Sequence, residues 1–346
     1  MKKYDKEVMQ SLLDDEKKVL KDLSTNYTKA LAGIKEKIKV LTADAEATQL
    51  QSKIYQLKYQ QALEKQISGY LKVLESCNAQ TVQDYLQKCY SDSFVGNVYS
   101  LQMQDVPLLF PVDQTQMIQS VMKQTDGYTF SKRLYDNVSE LQKIVKSEIT
   151  RGIASSLSYS DIARNISSYG ESSMKNAYRI ARTEGHRIQN EAKMDSMQSA
   201  KDRGAKIAKQ WDSTLDGKTR EEHAALDGQI KEINENFTIG SYSAPCPGSF
   251  GDPYMDCNCR CTVLQRARWA LDGDGGTKHL GDTSGMTDAQ LKPIADRLNI
   301  PTDTLRNYGN QIIPMKAKSF TDFKQQYDEL VSVPNGTAVN SFAIKV

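Results

Sequence analysis

For its first 106 residues the chain contains no proline, and between Val8 and Leu74 its apolar residues return at helical intervals. Proline has no backbone N–H to give and clashes with the carbonyl four residues back, so a long proline-free run is the first requirement of a long unbroken helix. Leu20, Leu23, Tyr27, Ala30, Ile34, Ile38 and Leu41 step by 3, 4, 3, 4, 4 and 3, and Ile54, Leu57, Ile67, Leu71 and Leu74 form a second run. Such spacing draws one narrow apolar stripe along a charged helix, which suits a coiled coil or a long antiparallel hairpin. The polar stretch 42–52 marks the point where the chain turns or the stripe shifts. Residues 1–76 are therefore expected to form a helical arm that either buries its own stripe in a bundle or offers it to a partner.

Residues 77–129 read as a mixed connector of short helices and loops, with Pro107 and Pro111 around the apolar run 106–112. From Phe130 the helical period returns through Leu134, Val138, Leu141 and Val145, so 130–204 is expected to be a helical domain. Within it Gly152 and Gly170 read as helix ends, Ser158 or Ser160 as the cap of a helix carrying Ile162 and Ile166, and 173–200 as a further long helix. After Gly204 the texture changes. A short strand at 206–213, turn signals at Asp216-Gly217 and Asp227-Gly228, three prolines and four cysteines mark a small module over 205–271, with a strand at 262–264 completing it. Residues 272–285 read as a linker and 286–346 as a helical tail, its helices starting near Thr287 and Thr321. The expected fold is mostly α, with a small α+β, Cys-containing module near residues 205–265.

Composition narrows the function classes. Hydrophobic residues make up 39% and aromatics 8%, a low apolar share that suits helical parts with much exposed surface. The net charge of +2 means that any affinity for nucleic acid must come from a local patch. No stretch approaches the roughly 18 apolar residues of a membrane-spanning helix. The charged N-terminus lacks the apolar core of a signal peptide, which implies a cytosolic start and reduced thiols. Cys77 and Cys89 sit in helical sequence and read as packed small residues.

Three groups of residues carry possible chemistry. Cys257, Cys259 and Cys261 alternate, with Cys246 eleven residues upstream of Cys257 and His223 before it. Thiolates and a neutral imidazole are the ligands of structural zinc, and on a strand the three thiols would share one face. His223, Cys257, Cys259 and Cys261 are the expected ligands, with Cys246 as an alternative; buried free thiols, or disulfides formed outside the cytosol, are the competing readings. Asp216, Arg220 and His223 have the residue types of a hydrolase or nuclease, but no second base or nucleophile is placed by spacing. An Asp216–Arg220 ion pair holding a turn is the simpler reading. On the helix around residue 180, Glu184 and Arg187 are spaced to pair. Nine Lys/Arg against four Asp/Glu between Lys175 and Lys209 make that segment basic, so Lys175, Arg179, Arg182, Arg187 and Lys206 either dock on DNA phosphates or form a solvated face.

Taken in order, Arg182-Thr183-Glu184, Trp211, Asp216-x-x-Thr219-Arg220-x-x-His223, Leu226-Asp227-Gly228 and Asn258-Cys259-Arg260-Cys261 resemble the phage head morphogenesis family of MuF-type minor head proteins. The resemblance runs from about residue 130 to 264. It implies a non-enzymatic capsid component present in few copies, associated with the portal protein and with capsid or scaffolding proteins, and a candidate for contact with packaged double-stranded DNA. It implies residence in the host bacterial cytoplasm during assembly and then in the virion, at the capsid interior or portal vertex, without stable membrane insertion. It gives Glu184, Trp211, Asp216, Arg220 and Asp227 a structural role, and His223, Cys259 and Cys261 match recurrent positions of the family. Some family members carry toxin extensions, so a delivered toxin and a hydrolase centred on Asp216, Arg220 and His223 stand as the alternatives.

Overall fold

The computed structural model describes residues 2–47, 53–104, 106, 108–125, 127–155, 157, 159–268, 287–289, 292 and 317–331. The chain is mostly α-helical. Its helices among the described residues are α1 (Lys3–Ala47), α2 (Lys53–Gln102), α3 (Gln114–Met122), α4 (Phe130–Ala154), α5 (Tyr159–Asp202), α6 (Glu221–Leu226), α7 (Pro253–Asp256) and α8 (Phe320–Val331). The strands are β1 (Ile207–Asp212), β2 (Ile230–Lys231), β3 (Phe237–Ile239), β4 (Tyr242–Ala244) and β5 (Thr262–Ala267). The chain divides into two compact units.

One unit, residues 15–86 and 122–184, is entirely helical. Its core follows the period legible in the sequence: Val19, Leu23, Tyr27, Ala30, Ile34 and Ile38 from α1, Leu63, Ile67, Leu71 and Leu74 from α2, and Leu134, Val138, Leu141, Val145 and Ile149 from α4. Val19, rather than Leu20, occupies the buried position. The side chains of Leu41, Ile54 and Leu57, and the turn expected within 42–52, lie outside the described residues. A polar layer crosses this core. Asn137 Nδ2 donates to the Tyr27 hydroxyl at 2.9 Å and to the Ser173 carbonyl at 2.8 Å, and the Tyr27 and Ser173 hydroxyls meet at 3.0 Å. Because buried polar groups are costly unless paired, this network sets the register of three helices.

Gly170, expected to end a helix, lies inside α5, which runs through it unbroken. A Cβ at Gly170 would lie 2.6 Å from the Leu31 side chain, so the glycine serves close helix packing and not termination. Gly152 likewise falls inside α4, which ends at Ala154. Since α5 starts at Tyr159, Ser160 lies in its first turn, while Ser158 is outside the described residues.

The other unit comprises residues 1–14, 87–121 and 185–346. Its middle is the C-terminal part of α2, buried from Asp92 to Leu101 on all sides. The connector expected over 77–129 therefore begins as continuous helix, to Gln102. An all-round buried helix has no polar face, so its amphipathic period fades, and this is why the sequence pattern lost it. Cys89 is buried there, whereas Cys77 is exposed instead of packed. Tyr99 packs against Phe320 and Phe323 of α8, at centroid distances of 5.8 and 5.1 Å. That helix starts beside Thr321, whereas the linker 272–285 and most of the tail lie outside the described residues.

The three-stranded sheet has the order β2-β1-β5 and is antiparallel throughout. Strand β5 is an edge strand whose outer groups are met by side chains. Asn190 Oδ1 accepts the Val263 N–H at 2.9 Å, Gln104 Oε1 accepts the Ala267 N–H at 3.0 Å, and Gln104 Nε2 donates to the Gln265 carbonyl at 3.4 Å. Side-chain amides thus take the place of a further strand, which closes an edge that would otherwise invite pairing.

Candidate functional site

The small sheet positions a compact cluster of aromatic, histidine and cysteine side chains. Trp211 ends the buried face of β1 and is fully enclosed. Its ring meets Phe237 at 5.2 Å, Phe250 at 5.9 Å and His223 at 5.9 Å between centroids. Trp211 Nε1 donates to Ser213 Oγ at 3.0 Å, and that hydroxyl donates to the His223 carbonyl at 2.6 Å. Asp227 Oδ1 accepts the Ser213 N–H at 2.7 Å. These bonds tie the end of β1 to both ends of α6 and so place His223, which is 2% exposed.

The cysteines arrive from the other side. Asp252 caps α7 by accepting the Tyr254 N–H at 2.7 Å, with Pro253 in the first helical position, where its missing N–H costs nothing. The buried Asp256 carboxylate accepts the N–H groups of Phe250 (3.1 Å) and Gly251 (2.8 Å), holding the preceding loop. Beyond Cys257 the backbone passes through Asn258 in the left-handed region, at φ 55°. Asparagine tolerates that conformation better than most residues.

The alternation expected of a strand is absent at this bend. The run 257–261 is not a strand, since β5 starts only at Thr262. Among the described residues His223, Cys259 and Cys261 form the cluster, their ligand atoms within 4.8 Å of one another and all three residues buried. His223 Nδ1 lies 3.3 Å from Cys261 Sγ and 3.5 Å from Cys259 Sγ, while Nε2 is buried without a hydrogen-bond partner. Cys257 is half-buried and outside this cluster. Cys246 is buried too, with its Sγ 3.4 Å from Ser249 Oγ.

The hydrogen bond from Cys259 holds the Cys261 thiol well below the usual thiol range, with further help from His223 and the Ser213 hydroxyl. That same contact, together with burial, pushes Cys259 up. A thiolate, a second thiol and an imidazole enclosed together are donors suited to a soft divalent ion.

Asp216 and Arg220 are placed apart from each other's charge. Asp216 receives both ends of the Arg260 guanidinium, at 2.5 and 2.7 Å, and this pair holds the Asp216 carboxyl well below the usual carboxylate range. Arg220 instead donates to the Cys257 carbonyl at 2.7 Å and stacks over Tyr254 at 5.5 Å. Both arginines thus fasten the loop after β1 to the cysteine loop. Pairing between residues 44 apart in the chain has no local signal, so sequence reasoning gave Asp216 the nearer arginine. Arg260, Ser213, Phe250, Asp256 and Asn190 were missed for the same reason; only the position of Arg260 between two cysteines hinted at a role.

Glu184, 1% exposed, receives Arg133 at 3.0 Å within the helical unit. Of the basic residues, Lys175, Arg179 and Lys206 are exposed, and Arg182 pairs with Glu16 at 3.0 Å while remaining half-exposed. Arg187 is different. It is 3% exposed and binds Glu191 at 2.7 Å and the Ser120 carbonyl at 3.1 Å, so it braces the fold and presents no charge to a phosphate.

Residues 143–264, which enclose the whole His/Cys cluster and its sheet, match the family described as Phage Mu protein F like protein. Through this stretch the chain is similar to that family. Over 210 residues it is 30% identical to the minor head protein GP7 of Bacillus phage SPP1, covering 60% of this chain and 65% of that one. Over 241 residues it is 33% identical to the NAD(+)–arginine ADP-ribosyltransferase EFV of Enterococcus faecalis, covering 69% of this chain and 49% of that one. The chain thus spans about half to two thirds of the length of these curated relatives. No solved structure matches it.

Proposed function

We propose that this chain is a minor head protein of a tailed bacteriophage, one that associates with the portal and inner capsid and supports head morphogenesis and DNA packaging or delivery. The observation that carries this reading is the family match over 143–264 together with the likeness to a phage minor head protein. The site supports it as well. His223 is enclosed by Trp211, Phe250 and two cysteines, while Asp216 is bound to Arg260 at the surface. A hydrolase needs its acid, base and nucleophile around one reacting atom, and these three residues are not so arranged. Lys175, Arg179, Arg182 and Lys206 are the candidates for contacts to packaged DNA, and phosphate contacts would weaken steeply with salt.

The test is quantitative mass spectrometry of particles purified from the source phage, before and after DNA release. A few copies per particle are expected, and loss along with the DNA would mark delivery. Absence from procapsids and virions alike overturns the proposal. The printed name of the Enterococcus relative favours a second reading, a head module linked to an ADP-ribosylating effector. Incubating the full chain with labelled NAD and an arginine-rich acceptor is expected to transfer no label. Transfer would establish the second reading instead.

A further inference from the structure

We propose that His223 Nδ1, Cys259 Sγ and Cys261 Sγ together bind one zinc ion, that Cys246 and Cys257 take no part, and that the ion fastens α6 to the loop preceding β5. Four features of the site lead there, beyond anything that the phage-head reading requires.

The first is separation. Zinc–sulfur bonds of about 2.3 Å and zinc–nitrogen bonds of about 2.0–2.1 Å, opened to a tetrahedral angle, put nitrogen and sulfur about 3.5 Å apart. His223 Nδ1 lies 3.3 and 3.5 Å from the two sulfurs. The imidazole nitrogen already stands at coordination spacing from each sulfur, and all three donor atoms lie within 4.8 Å of one another.

The second is lone-pair accounting. A neutral imidazole offers a single acceptor, so only one of two facing thiols can donate to Nδ1. The other thiol gains nothing from the ring, although all three residues are buried. A cation at the centre of the three atoms accepts a lone pair from each of them at once. On binding, the two thiols lose their protons to solvent, two sulfur–zinc bonds and one nitrogen–zinc bond form, and no electron is transferred.

Charge is the third. Two thiolates, a neutral imidazole and a divalent ion sum to zero, which removes the penalty that would fall on an isolated charge in this enclosed place. The last is support around the ligands. The Ser213 hydroxyl holds the His223 backbone carbonyl at 2.6 Å, and Thr214 Oγ1 holds the Arg260 carbonyl, between the two cysteines, at 3.0 Å. The ligand-bearing segments are thereby braced independently of the ion.

The ion would join residues 38 apart in sequence, one on α6 and one on the loop before β5. Small folds with limited cores commonly rely on such a staple.

The experiment uses the full chain purified without chelator, with zinc measured by elemental mass spectrometry. One zinc per chain is expected, retained in Cys257→Ser and Cys246→Ser and lost in Cys259→Ser and Cys261→Ser. Should the latter variants fail to fold, the wild-type chain is stripped with a chelator and titrated with cobalt(II). Visible bands of tetrahedral thiolate–cobalt, saturating at one equivalent and unchanged in Cys257→Ser, support the site. A chain that binds no zinc, a Cys259–Cys261 disulfide in protein purified from the cytosol, or loss of the metal on substituting Cys257 overturns it.

Discussion

Replacing Asn190 by leucine tests whether a single side-chain amide closes the edge of the sheet. Asn190 is fully buried, and its Oδ1 accepts the Val263 N–H at 2.9 Å. Leucine is close to asparagine in shape, so little volume is lost and the change is mainly one of polarity. The Thr262 hydroxyl, which also contacts Asn190 at 3.3 Å, keeps Lys193 Nζ at 2.5 Å. The Cys261 carbonyl loses only a long contact of 3.4 Å from Asn190 Nδ2. The Asn190 amide also lies 3.1 Å from His186 Nε2, so leucine removes that contact as well as leaving one buried N–H without an acceptor, the latter costing about 1–3 kcal/mol. Native-state hydrogen exchange reads that bond directly. The Val263 amide should exchange on the order of 5- to 150-fold faster, since each 1.4 kcal/mol is a factor of ten. The Ala267 amide, held by Gln104 at 3.0 Å, should change less. If Val263 exchanges no faster in the leucine variant than in the wild type, the idea that Asn190 stands in for a neighbouring strand is wrong.

Other consequences are open to measurement. Trp211→Ala removes the ring on which Phe237, Phe250 and His223 converge and should cost about 3–5 kcal/mol in urea unfolding, with Trp211→Phe costing clearly less; equal losses would mean that ring packing is not the source. Gly248 has φ +80°, and an added Cβ would sit 3.3 Å from Arg187 Cα, so Gly248→Ala should lower stability by about 1–2 kcal/mol in a thermal melt. An unchanged melting point would contradict this. Burial pushes the Lys193 ammonium down to about 8, whereas in the unfolded chain it holds its proton to about pH 10. Between those values the unfolded state binds more protons, so this group makes stability rise with pH across the window. Lys193→Met should flatten that rise, and an identical slope in both proteins would show that the lysine is not held in this way.

What the sequence determined by itself is whatever depends on near neighbours. The stripe Leu23, Tyr27, Ala30, Ile34 and Ile38, and its counterpart from Leu134 to Val145, were readable because a helix brings residues three and four apart to one face. The small module was readable from its turn residues and cysteines, whose local chemistry differs from that of the helices around it. Where a residue's role depends on something distant, only the tertiary structure decided. Gly170 ends nothing because Leu31 presses against it, and a glycine carries the same local signal whether it stops a helix or admits a neighbour. The C-terminal part of α2 lost its period because it is buried all round. Arg187 counted as surface charge until its partners Glu191 and Ser120 were in place, and Asp216 took Arg260 across 44 residues in preference to the arginine four positions away. Likewise the choice of Cys259 and Cys261 over Cys257 rests on one left-handed residue, Asn258, and on where α6 delivers His223. Spacing along the chain states which donors are present, but the distance between them is set by packing of segments far apart in sequence.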